Sequence, residues 1–161
     1  MASSYRSRIA PAAASVLAVV GLVGCAPSEA QTCVDWVDFA SPEHALADAE
    51  LAVTGEVLEA AGATDLYGAQ ATVWSVRVTG EPLAGEPPPG DEIRVISTPV
   101  TCTGEEIYPG GDPLDTAGPL ILLLTSDEAD GDWRTITPRQ GAVPAGPDGE
   151  LPLAWPEDEE A

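Results

Sequence analysis

The run Leu120-Ile121-Leu122-Leu123-Leu124 is apolar at five consecutive positions. A buried helix needs about ten residues or more, so a run this short reads as a strand. Successive side chains of a strand point to opposite faces. This strand must therefore be covered on both sides, and it belongs at the centre of the core.

Other runs supply the cover. Gln70 to Thr79 places Thr72, Trp74, Val76 and Val78 on one face, and Ser75, Arg77 and Thr79 on the other. Leu51 to Glu59 sets Leu51, Val53 and Val57 against Thr54 and Glu56, the pattern of a half-buried strand. Glu92 to Thr98 turns Ile93 and Val95 inward and Arg94 outward. Trp133 to Thr137 should return from the central strand across Asp130-Gly131-Asp132. One short helix precedes them, over Ser41 to Asp48. Ser41 is a good N-cap, Pro42 suits the first helical position, and Glu43 complements the helix dipole. The links are rich in glycine and proline. Pro87-Pro88-Pro89-Gly90 reads as a stiffened loop between strands rather than a polyproline ligand. Pro109-Gly110-Gly111-Asp112-Pro113 lies in the long link before the central strand, and residues 141 to 149 form another loop.

The chain begins with Arg6 and Arg8 ahead of an apolar run from Ile9 to Gly24. A charged start, an apolar middle and small residues before a cleavage point are the layout of a secretory signal. Pro11 interrupts the run, which is shorter than the roughly 20 residues of a spanning helix. Leu22-Val23-Gly24-Cys25 resembles the lipobox of bacterial lipoproteins, in which the cysteine receives diacylglycerol and becomes the new N-terminus. That resemblance implies a signal peptide over 1–24, a lipidated tether over 25–32 and an anchor on the outer face of the cytoplasmic membrane. A single β-rich domain then spans 33–156, with an acidic tail at 157–161 expected to be disordered.

A short helix followed by five antiparallel strands, with prolines kept to loops, predicts a mainly β fold. The expected form is a small, closed or partly open OB-like antiparallel barrel, with a β-sandwich as the alternative. Ala49-Glu50-Leu51-Ala52-Val53-Thr54-Gly55-Glu56-Val57 and Gly90-Asp91-Glu92-Ile93-Arg94-Val95 resemble the OB-like barrel of netrin-type and metalloprotease-inhibitor domains. The likeness covers residues 33 to 137. Inhibitors of that type chelate the protease zinc with the free amine and carbonyl of an N-terminal cysteine. Here the expected N-terminal cysteine, Cys25, carries lipid and Cys33 is internal. The resemblance therefore implies the fold and not the inhibition.

Charge narrows the partners. The chain has 27 acidic residues against 6 Lys+Arg, with no lysine among them. Such a field repels phosphate backbones and anionic headgroups. Nucleic acid is excluded as a partner on this ground, and anchoring falls to the lipid. With Cys25 lipidated, Cys33 and Cys102 remain as an even pair in an oxidising compartment, the setting of a disulfide.

No catalytic motif stands out. Asp127, Asp130 and Asp132 crowd one turn and are the candidates for calcium, which takes six to eight oxygens. Their spacing departs from the calcium-loop pattern, and an acidic hairpin turn needs no metal. Asp112 and Asp115 are read in the same way. His44, the only histidine, lies on the short helix without a motif partner. Ser97 and Ser126 lie in no Gly-x-Ser-x-Gly elbow. Trp74 is expected in the core, with Trp36 and Trp133 half-buried. Trp155, outside the strands, either packs back onto the barrel or offers an exposed anchor to a partner. No cofactor is implied. The expectation is a non-catalytic binding or accessory module at the cell envelope, with an envelope protein as its partner. The alternatives are a calcium-dependent binding protein and a small envelope hydrolase.

Overall fold

The computed structural model describes residues 33–102, 106–127 and 131–156. A helix α1 (Pro42–Asp48) precedes six strands: β1 (Leu51–Leu66), β2 (Ala69–Ala84), β3 (Glu92–Ile96), β4 (Pro119–Ser126), β5 (Trp133–Thr135) and β6 (Ala142–Pro144). The mainly β class stands. Ser41 caps α1 as its residue type predicts, its side chain accepting from the His44 N–H. Among the described residues no helix is long and apolar enough to cross a membrane.

The strands form one mixed sheet in the order β1-β2-β3-β5-β4-β6, and β1 also pairs with β4. The pairings therefore close on themselves through β1, β2, β3, β5 and β4. This corrects the expectation of five purely antiparallel strands. Directions cannot alternate all the way round a ring with an odd number of members, so one neighbouring pair has to run the same way. That pair is β3 and β5, parallel with Val95 opposite Trp133 and Ile96 opposite Arg134. The remaining pairings are antiparallel.

The sixth strand is a continuation of the fifth. β5 pairs with the end of β4 at Leu124 to Ser126, and β6 with its start at Leu120 to Leu122. Between them Ile136 N–H donates to Leu123 O, and Leu123 N–H donates to Gly141 O. One edge of β4 is thus served by a single return path, interrupted by the excursion Thr137–Gln140. Gly141 ends that excursion, where an added Cβ would lie 2.4 Å from Thr135 Cβ and 2.9 Å from Thr137 O.

β1 and β2 run well past the segments that alternate in sequence. Ala60-Ala61-Gly62-Ala63-Thr64 carries no apolar face, yet it pairs with Ala71 to Trp74, with a one-residue register shift between Ala60 and Gly62. The turn explains this. Tyr67 (φ 55°) and Gly68 (φ 81°) both occupy the left-handed region, as a two-residue hairpin turn of this twist requires. Asp65 Oδ1 accepts the Gly68 N–H at 3.2 Å.

β4 is buried on both faces, as its composition demands. Leu120, Leu122 and Leu124 pack with Leu51, Val53, Val76, Ile93, Val95 and Leu114 inside the ring. Ile121 and Leu123 face the other way, onto Ala45 of α1, Ala52, Ile136, Val143 and Trp155. That second layer, outside the ring, brings together the helix and both ends of the described fold. At about 25 cal/mol per Å² of apolar surface, each buried leucine contributes about 2 kcal/mol.

Candidate functional site

The second layer carries the site. The segment from Cys33 to Ala40 crosses it as an extended strap fastened at both ends. At the first end Cys33 and Cys102 form the expected disulfide, with Cα atoms 4.4 Å apart. Beside it the Val34 N–H donates to Thr101 Oγ1 at 3.0 Å. At the second end the Gln140 amide grips the Phe39 backbone, its Oε1 accepting from Phe39 N–H at 2.8 Å and its Nε2 donating to Phe39 O at 3.0 Å. The Trp155 indole N–H donates to the same carbonyl at 2.7 Å. Gln140 is itself oriented by its N–H, which donates to Thr137 Oγ1 at 2.9 Å.

Between this strap, the excursion Thr137–Gln140 and Trp155 lies a groove of about 760 Å³. Trp36, Phe39, Val143 and Trp155 give it apolar walls, and Asp38 and Arg139 are its two charged residues. Trp36 leans edge-on against Tyr67 at the β1–β2 turn, ring centroids 5.8 Å apart. Its indole N–H is buried with no hydrogen-bond partner among the described residues. A buried donor left in that state costs about 1–3 kcal/mol.

The link between β3 and β4 is held by a polar cluster of its own. Asp112 accepts from the Trp74 indole at 3.1 Å, from Ser97 Oγ at 2.6 Å and from the Leu114 N–H at 3.0 Å. Tyr108 donates to Ser97 O at 2.8 Å and accepts the Thr72 N–H at 2.9 Å. Burial pushes the Tyr108 hydroxyl above the usual tyrosine range. Glu50, at the entry to β1, accepts from both the hydroxyl and the N–H of Ser126, at 2.6 and 2.8 Å. Those bonds hold its carboxyl below the usual range.

The residues singled out in the sequence fall as follows. Trp155 is buried at 8% exposure and packs back onto the second layer, so it is a wall of the groove and not a protruding anchor. Trp36 and Trp133 are half-buried, as expected. Trp74, expected in the core, is also only half-buried: it packs against the core of the ring while its indole N–H donates to Asp112. Asp132 is spent on Arg94, whose Nε lies 3.0 Å from its Oδ1. Asp127 closes the turn through its backbone, its N–H donating to Asp132 O at 2.8 Å. Asp130 lies outside the described residues, as do Cys25, the leader, the tether and the tail. Among the described residues no group of three or more His, Cys, Asp or Glu side chains could hold a metal ion. His44 is exposed on α1. Ser97 and Ser126 each donate to a carboxylate that fastens the fold.

Gln140 and Arg139 carried no signal in the sequence. They sit in a link where nothing alternates, and only the return of β6 onto β4 brings them to the strap. No protein-family model, no curated protein and no solved structure matches the chain.

Proposed function

We propose that this chain is an extracytoplasmic lipoprotein, lipidated at Cys25, whose OB-like domain acts as a non-catalytic binding or accessory module at the cell envelope. The observation that carries the reading is the groove beneath the strap. It is concave and joins the aromatic and aliphatic walls of Trp36, Phe39, Val143 and Trp155 to the polar groups of Asp38, Thr137, Arg139 and Gln140, a surface that can hold a ligand by both kinds of contact. The OB-like description is supported by the ring order β1-β2-β3-β5-β4 with its single parallel pair. The Leu22-Val23-Gly24-Cys25 sequence supports lipidation. From Cys25 to Cys33 an extended tether reaches no more than about 30 Å, so the strap and its groove would face the membrane zone.

The test places a photo-crosslinking side chain at Val37, which lines the groove and is 61% exposed. In native membranes it should give one dominant adduct. Ala40→Trp, which fills the groove from an exposed position, should remove that adduct. The same label at exposed Glu59 on the hairpin should not form it. Adducts identical at both positions would overturn the groove as the binding site. Cys25→Ser should release the chain from the membrane fraction, and unchanged retention would overturn the anchor.

A further inference from the structure

The groove contains an arginine that the other described residues leave without an ion pair. Arg77 faces Glu56 at 3.6 Å, Arg94 holds Asp132, and the charge of Arg134 reaches Glu50. Arg139 makes no ion pair and no hydrogen bond through its side chain among the described residues. Among the described residues Arg134 likewise forms no ion pair, but of the four described arginines only Arg139 lines the groove. Asp38, the one acidic residue of the groove lining, does not take it. Gln140, beside it, has both ends of its amide committed to Phe39. Trp36 in the same lining also lacks an acceptor among the described residues. The groove therefore holds two donors without partners among the described residues, the Arg139 guanidinium and the Trp36 indole, beside the apolar surfaces of Phe39, Val143 and Trp155.

Resting on the reading of the groove as the binding site, we propose that it takes a small organic acid. The carboxylate sits on the Arg139 guanidinium, and the aromatic or aliphatic body lies along Phe39, Val143 and Trp155. Size supports a small ligand, since about 760 Å³ falls within the roughly 300–1,000 Å³ of small-molecule sites. The guanidinium fork supports a carboxylate, which it can meet with two parallel hydrogen bonds. The acidity of the whole molecule sharpens the choice. Its long-range field favours cations, so a preference for an acid has to come from donors in the groove itself, and Arg139 is the only one of the lining residues that carries positive charge.

The experiment uses the full chain with Cys25→Ser and three probes that share one body: 4-phenylbutyrate, 4-phenylbutanol and 4-phenylbutylamine. Calorimetric titration should rank the acid at least tenfold tighter than the alcohol, as expected for a charge-assisted bond, with the amine weakest. Arg139→Gln should erase the preference for the acid and leave the alcohol unchanged. Arg139 is exposed, and circular dichroism should report an intact fold. An amine that binds as tightly as the acid overturns the proposal and leaves the groove as a site for a cation. A preference for the acid that survives Arg139→Gln overturns it as well. Should none of the three bind, the proposal falls together with the reading of the groove as a ligand site. Sedimentation as a dimer that excludes the probes would make a second copy the occupant, and would equally overturn it.

Discussion

Asp112→Ala should destabilise the fold by about 3 kcal/mol. The carboxylate accepts three hydrogen bonds, from the Trp74 indole on β2, Ser97 beyond β3 and the backbone of Leu114. Hydrogen bonds to a charged group are worth about 1.5–3 kcal/mol each when fully shielded from water. Asp112 is half-buried, so water replaces part of the loss, and about 1 kcal/mol per bond is the working figure. The loss reaches the core because Leu114 is fully buried inside the ring and hangs on this anchor. Asp112→Asn should cost about half as much. Its carbonyl can still accept, but its amide turns a donor toward a donor. Urea unfolding at neutral pH, followed by tryptophan emission and by circular dichroism with coincident transitions, reads the difference. Pairing Asp112→Ala with Trp74→Phe in a double-mutant cycle should return a coupling of about 1 kcal/mol. An Asp112→Ala variant within about 0.5 kcal/mol of the parent, the range of ordinary surface substitutions, would refute the reasoning. The residue would then be the plain acidic turn that its sequence context suggests.

Removing the Cys33–Cys102 bridge, which spans 69 residues, should cost about 4 kcal/mol on the chain-entropy account. Unreduced mass analysis should find the two cysteines joined in the mature chain, and free thiols would contradict it. Glu50 gives a pH signature. Its carboxyl is held low in the folded chain, so its contribution is present above the ordinary glutamate range and is lost as pH falls through the lowered folded value. The stability gap between the parent and Glu50→Gln should therefore narrow on acidification below about pH 4.5; a gap independent of pH would show that Ser126 does not select the charged form. Tyr108 works in the opposite sense. Its raised value means stability is complete below the ordinary tyrosine range and declines as pH rises through the folded value. An ultraviolet titration should show one late tyrosine that Tyr108→Phe removes.

Much of the fold was legible because burial writes a period into a strand. Leu120 to Leu124 announced a strand covered on both faces, and each face found its own layer. Ser41 and Pro42 marked the start of α1, and the outward Arg94 followed from the alternation around Ile93 and Val95. The pairing of Cys33 with Cys102 followed from counting, once Cys25 was set aside. Local pattern does not specify how strands close on one another. The parallel contact of β3 with β5, the splitting of the last strand around Thr137–Gln140 and the extension of β1 through Ala60 to Thr64 are properties of the assembled ring. The groove belongs to the same class. Cys33, Gln140 and Trp155 are more than a hundred positions apart end to end, and each looks like a link residue in its own neighbourhood. Their meeting depends on which carbonyl each donor can reach once the sheet has closed. Alternation and composition mark what must be buried, whereas closure of the sheet selects which remaining polar groups meet a partner: Asp112 receives three donors, and Arg139 meets no carboxylate among the described residues.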